Sequence, residues 1–221
     1  MAGCLGMQCH GRESILAIWL WIRKCQQRLH LSIRFRVGNG VFHFGSLSVT
    51  DEKIKDVTRV AVEMAKEGGA LISFEPNLRP PLWESLEKAK EKIAYGISQC
   101  HILKISDDEI EFFAETTDID EGVVRIQKEF NTPFIRVTMG SIVDHHGERV
   151  ECKPFLCENT IETTGAGDTF MACVLNMVLE NGWNRMDRQK RYEMLEFANA
   201  AASIITTKKV HEKLCQTGQM C

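Results

Sequence analysis

Residues 70–105 read ALISFEPNLRPPLWESLEKAKEKIAYGISQCHILKI. Two short apolar runs, Ala70-Leu-Ile-Ser-Phe74 and His101-Ile-Leu-Lys-Ile105, bracket a stretch with helical spacing. Within that stretch Leu86, Ala89, Ile93 and Ile97 recur near the 3.6-residue period and predict a helix from Trp83 to about Ser98, with these four facing inward. The flanking runs are almost continuously apolar. Strands of that kind are buried on both faces, as in a parallel sheet covered by helices.

The same alternation extends in both directions. Val41-Phe-His-Phe44 is a strand, and Thr50-Asp-Glu opens a helix with Ile54, Val57, Val60, Ala61, Met64 and Ala65 on one face, ended by Gly68-Gly69. Ser106 starts a short helix through Phe113, Glu121–Phe130 is another, and Phe134–Thr138 is a strand. Ser141–Val150 reads as a hairpin turning at His146-Gly147. Two long helices follow, from Ala166 to about Asn181 and from Asp187 to about Thr206. The expectation is an α/β fold: a mostly parallel central sheet with helices on both faces. In such folds ligands bind beyond the carboxyl ends of the strands. The loops to inspect are therefore 45–50, 75–82, 106–109, 139–141 and 162–168.

Composition agrees with one globular unit. The chain has 221 residues, 44% hydrophobic and 26% charged, with a net charge of −3. That balance argues against disorder and gives no general reason to expect nucleic acid or membrane as a partner. Nine cysteines stand out, five of them near the ends: Cys4, Cys9, Cys25, Cys215 and Cys221. An odd count favours reduced thiols and a cytoplasmic setting. Cys152 and Cys157 with His145 and His146 come nearest to a metal set, but two histidines at a hairpin tip before Gly147 fit a solvated turn better. Residues 1–36 carry Arg12, Arg23, Lys24, Arg28, Arg34 and Arg36 against Glu13 alone. The apolar run Ser14–Ile22 is too short to span a bilayer, and Arg23-Lys24 follows it with no small-residue cleavage site. It reads as a short helix or an unstructured extension.

The chemistry concentrates in Glu162-Thr-Thr-Gly165-Ala-Gly167-Asp168-Thr-Phe170, just before a long apolar helix. Two glycines permit a tight turn and close approach to a ligand. Backbone N–H groups at a helix start, reinforced by the helix dipole, form a site for anionic oxygen. A carboxylate at that point can accept the proton of a hydroxyl attacking phosphorus. Neither a Gly-Lys-Ser/Thr loop nor a GxGxxG unit is present, which sets aside a Walker nucleotide site and a dinucleotide-binding dehydrogenase. The same residues would also serve as a plain glycine-rich helix start with an acidic first turn.

Thr163-Thr-Gly-Ala-Gly-Asp-Thr-Phe170 resembles the C-terminal signature of the ribokinase-like (PfkB) carbohydrate kinases. Further blocks follow in family order: Val41–Ser48, Ile72–Pro80, Ile102–Glu109, Val137–Gly140 and Phe197–Lys208. They look most like the bacterial fructokinase branch. The resemblance implies a kinase that moves the γ-phosphoryl group of ATP, with Mg2+, to a primary hydroxyl of a small sugar such as fructose. Many such enzymes respond to K+. Kinases of the same fold acting on 2-keto-3-deoxygluconate, ribose or a nucleoside are the alternative, and a non-catalytic nucleotide-binding fragment is another.

By the same resemblance Asp168 is the catalytic base, and Gly165, Ala166 and Gly167 form the anion hole. Asn77 and Arg79 lie near substrate and phosphates. Thr138, Gly140, Asn199, Ala202, Ser106 and Lys104 border the nucleotide, and Glu109 organises the metal, although Ser106-x-x-Glu109 is equally a helix capping box. Glu75 and Glu162 stand where the family usually has Asp. The matched core is residues 38–209. Residues 1–37 and 210–221 match nothing in the family, and the family's N-terminal strands and sugar-covering lid are absent from the pattern. These ends suggest a truncated reading of a longer kinase, one weakly active or inactive by itself.

Overall fold

The structure, a computed structural model, describes residues 15–17, 40–132, 134–137, 141–145, 147–155, 159–163 and 165–207. Seven strands form one sheet in chain order: β1 (Ile15–Ala17), β2 (Val41–Gly45), β3 (Leu71–Glu75), β4 (Ile102–Ile105), β5 (Phe134–Val137), β6 (Ile142–His145) and β7 (Glu148–Glu151). Strands β1 to β5 are parallel, and β5, β6 and β7 are antiparallel. The helices are α1 (Glu52–Glu67), α2 (Leu86–Gln99), α3 (Asp107–Ala114), α4 (Ile119–Phe130), α5 (Ala166–Asn181) and α6 (Arg188–Thr206).

Strand periodicity sorts the core into two layers. Phe42, Phe44, Ile72, Phe74, Leu103 and Ile105 point to one face, where Ala61, Val62, Ile93, Ile97, Ile110, Val123 and Ile126 of α1 to α4 cover them. Val41, Ile102, Val143 and Val150 point to the other, against Phe170, Met171, Val174, Leu175, Met194 and Leu195 of α5 and α6. Each fully buried side chain of this size contributes about 1.5–3 kcal/mol. Side-chain caps fix where the helices begin. Ser85 accepts from the Lys88 amide (3.2 Å), Asp118 from Glu121 (3.0 Å) and Asp187 from Lys190 (2.8 Å).

Three details differ from the sequence reading. Ile15–Ala17 is neither helix nor loose extension; its backbone pairs in parallel with Val41–His43. In α1 the buried stripe is Thr58, Ala61, Val62 and Ala65, whereas Val57 and Val60 are exposed. The stripe is rotated because the Thr58 hydroxyl donates to the Ser48 carbonyl (2.9 Å) and the two alanines let the helix approach the sheet. Leu86 is exposed: α2 starts at Leu86 itself, behind the Ser85 cap, and the inward stripe begins one turn later at Ala89.

Two contacts against β3 can be tested by substitution. A Cβ on Gly96 in α2 would clash with three ring carbons of Phe74, which is fully buried. Gly96→Ala gains about 1 kcal/mol of helix propensity, but overpacking against a fixed ring costs about 1–3 kcal/mol. We expect a net loss of stability, read as a lower urea midpoint. At the start of β4, the His101 imidazole accepts the Ile72 amide through Nδ1 (2.9 Å), while the His101 amide donates to the Ile72 carbonyl (2.8 Å). Burial holds His101 below the ordinary histidine range, and burial likewise lowers His43. Between the folded and unfolded values the unfolded chain binds more protons, so stability rises with pH. The urea midpoint is therefore expected to fall as pH drops below about 6.5, and His101→Ala should flatten that dependence.

Candidate active site

Helix α5 begins at the carboxyl edge of the parallel strands. Its N-cap, Gly165, adopts the left-handed conformation (φ 82°), which a side chain would strain. Gly165 itself has no side chain with which to cap the helix. The Ala166 amide donates to the Thr163 carbonyl (3.1 Å), and the Thr169 amide makes the first helical bond, to Gly165 (2.9 Å). Among the described residues the first-turn amides of Gly167 and Asp168 find no acceptor, and they form the positive end of the helix dipole. Ala166 departs from the expectation: its N–H is already used in closing the turn. Asp168 and Gly167 are exposed.

Beneath this turn lies a polar patch on the α5 face of the sheet. His43 Nδ1 and Ser73 Oγ are hydrogen-bonded (3.0 Å) between paired positions of β2 and β3. At the strand ends Lys104 forms an ion pair with Glu75. Lys104 is 4% exposed, and its Nζ lies 3.1 Å from where a Cβ on Gly167 would be. The missing side chain at Gly167 thus lets α5 settle on the lysine. Burial is the main force lowering the His43 pKa; the Glu75 charge opposes it, Lys104 adds to it, and Asp168 opposes it. Lys104, expected beside the nucleotide, sits under the first turn of α5.

The loop after β3 carries Asn77 and Arg79, both exposed, with Asn77 in the left-handed region (φ 45°). Glu109 holds this loop. One carboxylate oxygen accepts the Leu78 amide (2.7 Å) and the other the Ser106 amide (2.9 Å). The Ser106 hydroxyl accepts the Glu109 amide (3.4 Å), which completes a capping box at the start of α3. Glu109 is 8% exposed. It links the 76–79 loop to the end of β4.

Asn199 is spent inside the protein: the Ser141 hydroxyl donates to its Oδ1, and its Nδ2 donates to the Lys153 carbonyl (3.1 Å). This ties α6 to Ser141, itself at φ 43°, and to the segment after β7. Ala202 packs partly buried against the α5–α6 core. Thr138 and Gly140 lie outside the described residues, as do His146 and Cys157. Among the described residues no group of three or more His, Cys, Asp or Glu side chains is placed to hold a metal ion. Nor is any helix among them long and apolar enough to cross a membrane. A groove of about 810 Å³ between α2, α3 and α4, lined by Lys90, Phe113 and Arg125 among others, lies on the opposite face of the sheet from α5. It is unconnected to the chemistry at Asp168.

Sequence reasoning assigned no role to His43 or Ser73. The signal was present: each of β2, β3 and β4 has one polar residue inside an apolar run, namely His43, Ser73 and Lys104. Only the strand register shows that they gather on one face.

Comparison with known proteins gives the family and the fold. The family model described as pfkB family carbohydrate kinase matches residues 27–213. A sequence from Arabidopsis thaliana described as a fructokinase-8 is 35% identical, over 80% of this chain and 85% of its own length. Fructokinase-1 of Zea mays is 35% identical, over 76% of this chain and 53% of its own. The chain thus spans about half the length of most of the curated relatives it matches. Among solved structures, the fructokinase of Vibrio cholerae O395, in a form with fructose, ADP and calcium ion bound, superposes with a TM-score of 0.71 at 24% identity, over 79% of this chain and 56% of that one. That likeness makes the fold ribokinase-like. With a family match running through every parallel strand from β2 onward and through the Gly165–Asp168 turn, the chain belongs to the pfkB family of carbohydrate kinases.

Proposed function

We propose that the chain transfers the γ-phosphoryl group of ATP to a primary hydroxyl of fructose. The observation that carries this reading is Asp168 in the first turn of α5, beside open amides at the carboxyl edge of a parallel sheet. The fructokinase relatives support the choice of sugar.

The residues divide the work as follows. Asp168 accepts the hydroxyl proton as the oxygen attacks phosphorus, which makes the nucleophile at the moment it is needed. The Gly167 and Asp168 amides, with the helix dipole, stabilise the charge on the migrating group. Arg79, exposed on the 76–79 loop, can pair phosphate oxygens through its planar fork. Asn77 orients substrate from the same loop. Thr138, Gly140 and the Ala202 stretch of α6 border the nucleotide, with Asn199 bracing that region from inside through Ser141 and Lys153. Phosphate-bound Mg2+ takes oxygen ligands and keeps several waters. Glu109 fits an outer role toward such an ion: each of its oxygens holds one backbone amide and keeps a second lone pair. When bound, the ion would neutralise phosphate charge.

The test is a coupled assay of the purified chain with ATP, Mg2+ and fructose. ADP formation should depend on fructose. Asp168→Asn should reduce it by on the order of a hundredfold or more while nucleotide binding persists. Turnover with ribose or a nucleoside but not fructose would reassign the acceptor, and full activity in Asp168→Asn would overturn the base. Glu109→Gln sets an amide NH2 against one of two backbone N–H donors. It should cost about 1–3 kcal/mol of stability, seen in urea unfolding, and should also lower turnover by loosening the 76–79 loop.

A further inference from the structure

We propose that the Lys104–Glu75 pair sets the electrostatic potential of the Asp168 turn, with Lys104 a positioning residue whose ammonium supports the anion site from below and Glu75 the carboxylate that tempers it. The anion site itself rests on the phosphotransfer reading above.

The geometry has three parts. Lys104 is almost fully buried, and its one described partner is Glu75, whose side chain is 18% exposed. An ammonium carries three donors, so one ion pair leaves two. Next, the first turn of α5 rests on the ammonium, with Gly167 supplying the clearance. A cation under the positive end of a helix is a like-sign contact. Glu75 relieves it from the sheet side, and an anion at the turn would relieve it from above. Finally, the charges at this end of the sheet form one connected set. His43 on β2 feels Glu75 on β3, Lys104 on β4 and Asp168 on α5.

This arrangement predicts effects of opposite sign from the two halves of one ion pair. Glu75→Gln leaves Lys104 uncompensated beneath the turn and should tighten oxyanion binding. Lys104→Met keeps the stem length but leaves a bare carboxylate there, and should weaken binding. Each change should be on the order of threefold to tenfold. The double variant should return close to the parent. A pair acting only as a strut would lose binding in both single variants.

Two readouts on the full chain separate the cases. The first is the His43 imidazole titration by NMR, which needs no ligand: Glu75→Gln should lower its midpoint, Lys104→Met should raise it, and the double variant should lie between. The second is calorimetry with tripolyphosphate. Opposite shifts in both readouts support the assignment. A His43 midpoint that stays fixed, or moves the same way in both single variants, overturns it. So does weaker tripolyphosphate binding in both single variants alongside a parallel fall in melting temperature. If the parent fails to bind tripolyphosphate while His43 shifts as expected, the potential assignment is supported, and the phosphotransfer reading is the one that fails. Should Lys104→Met not fold, Glu75→Gln and the double variant still fix the sign.

Discussion

Strands β2 to β4 must satisfy two faces at once, because helices cover the sheet on both sides. A polar side chain on such a strand therefore loses water whichever way it points, and it persists only with a partner. This constraint explains why the strands are apolar almost throughout, and why the exceptions pair with each other: His43 with Ser73, and Lys104 with Glu75. All four lie on the α5 face, toward the carboxyl edge of the sheet. The packing rule that builds the core thus also confines polarity to the place where a ligand can reach it.

Helix-start chemistry then shapes that edge. The turn before α5 uses a left-handed glycine, which has no side chain to cap the helix, and among the described residues the Gly167 and Asp168 amides find no acceptor. The turn before α3 does the opposite: Ser106 and Glu109 close a full capping box. Glu109 has a second task there, since its other contact is the Leu78 amide in the loop that carries Asn77 and Arg79. One helix start is left unsatisfied toward solvent and its neighbour is satisfied twice over. A structural reading and a functional reading of Ser106-x-x-Glu109 are therefore compatible, because the cap fixes the loop on which the exposed polar residues stand.

Much of this was legible from residue order. Apolar runs located β2, β3, β4 and β5, and periodicity located the helices, because burial leaves a direct trace in spacing. The Gly-Ala-Gly-Asp turn was legible because glycine and a first-turn acid are local signals. What escaped depends on contacts distant in sequence. The rotation of the α1 stripe follows from a Thr58–Ser48 bond and from how closely two alanines approach the sheet. The strand at Ile15–Ala17 depends on pairing with Val41–His43, and no local propensity reveals that. The closed state of the Ala166 amide depends on the path of Thr163, and the burial of Asn199's polar atoms depends on Ser141 and Lys153.

The buried cations show how position separates scaffold from site. Lys92 pairs with Glu52 and Arg191 with Glu148, but those carboxylates are 73% and 51% exposed, so water already serves one partner. Such pairs fasten a helix at modest cost. Lys104 and Glu75 are different: the side chains are 6% and 18% exposed, and both charges have left most of their water. Desolvating two ions is expensive, and apolar residues of similar size often stabilise a fold as well or better. Stability therefore gives no account of why charges stand there. Their place under Gly167, at the start of α5, fits the electrostatic role proposed above.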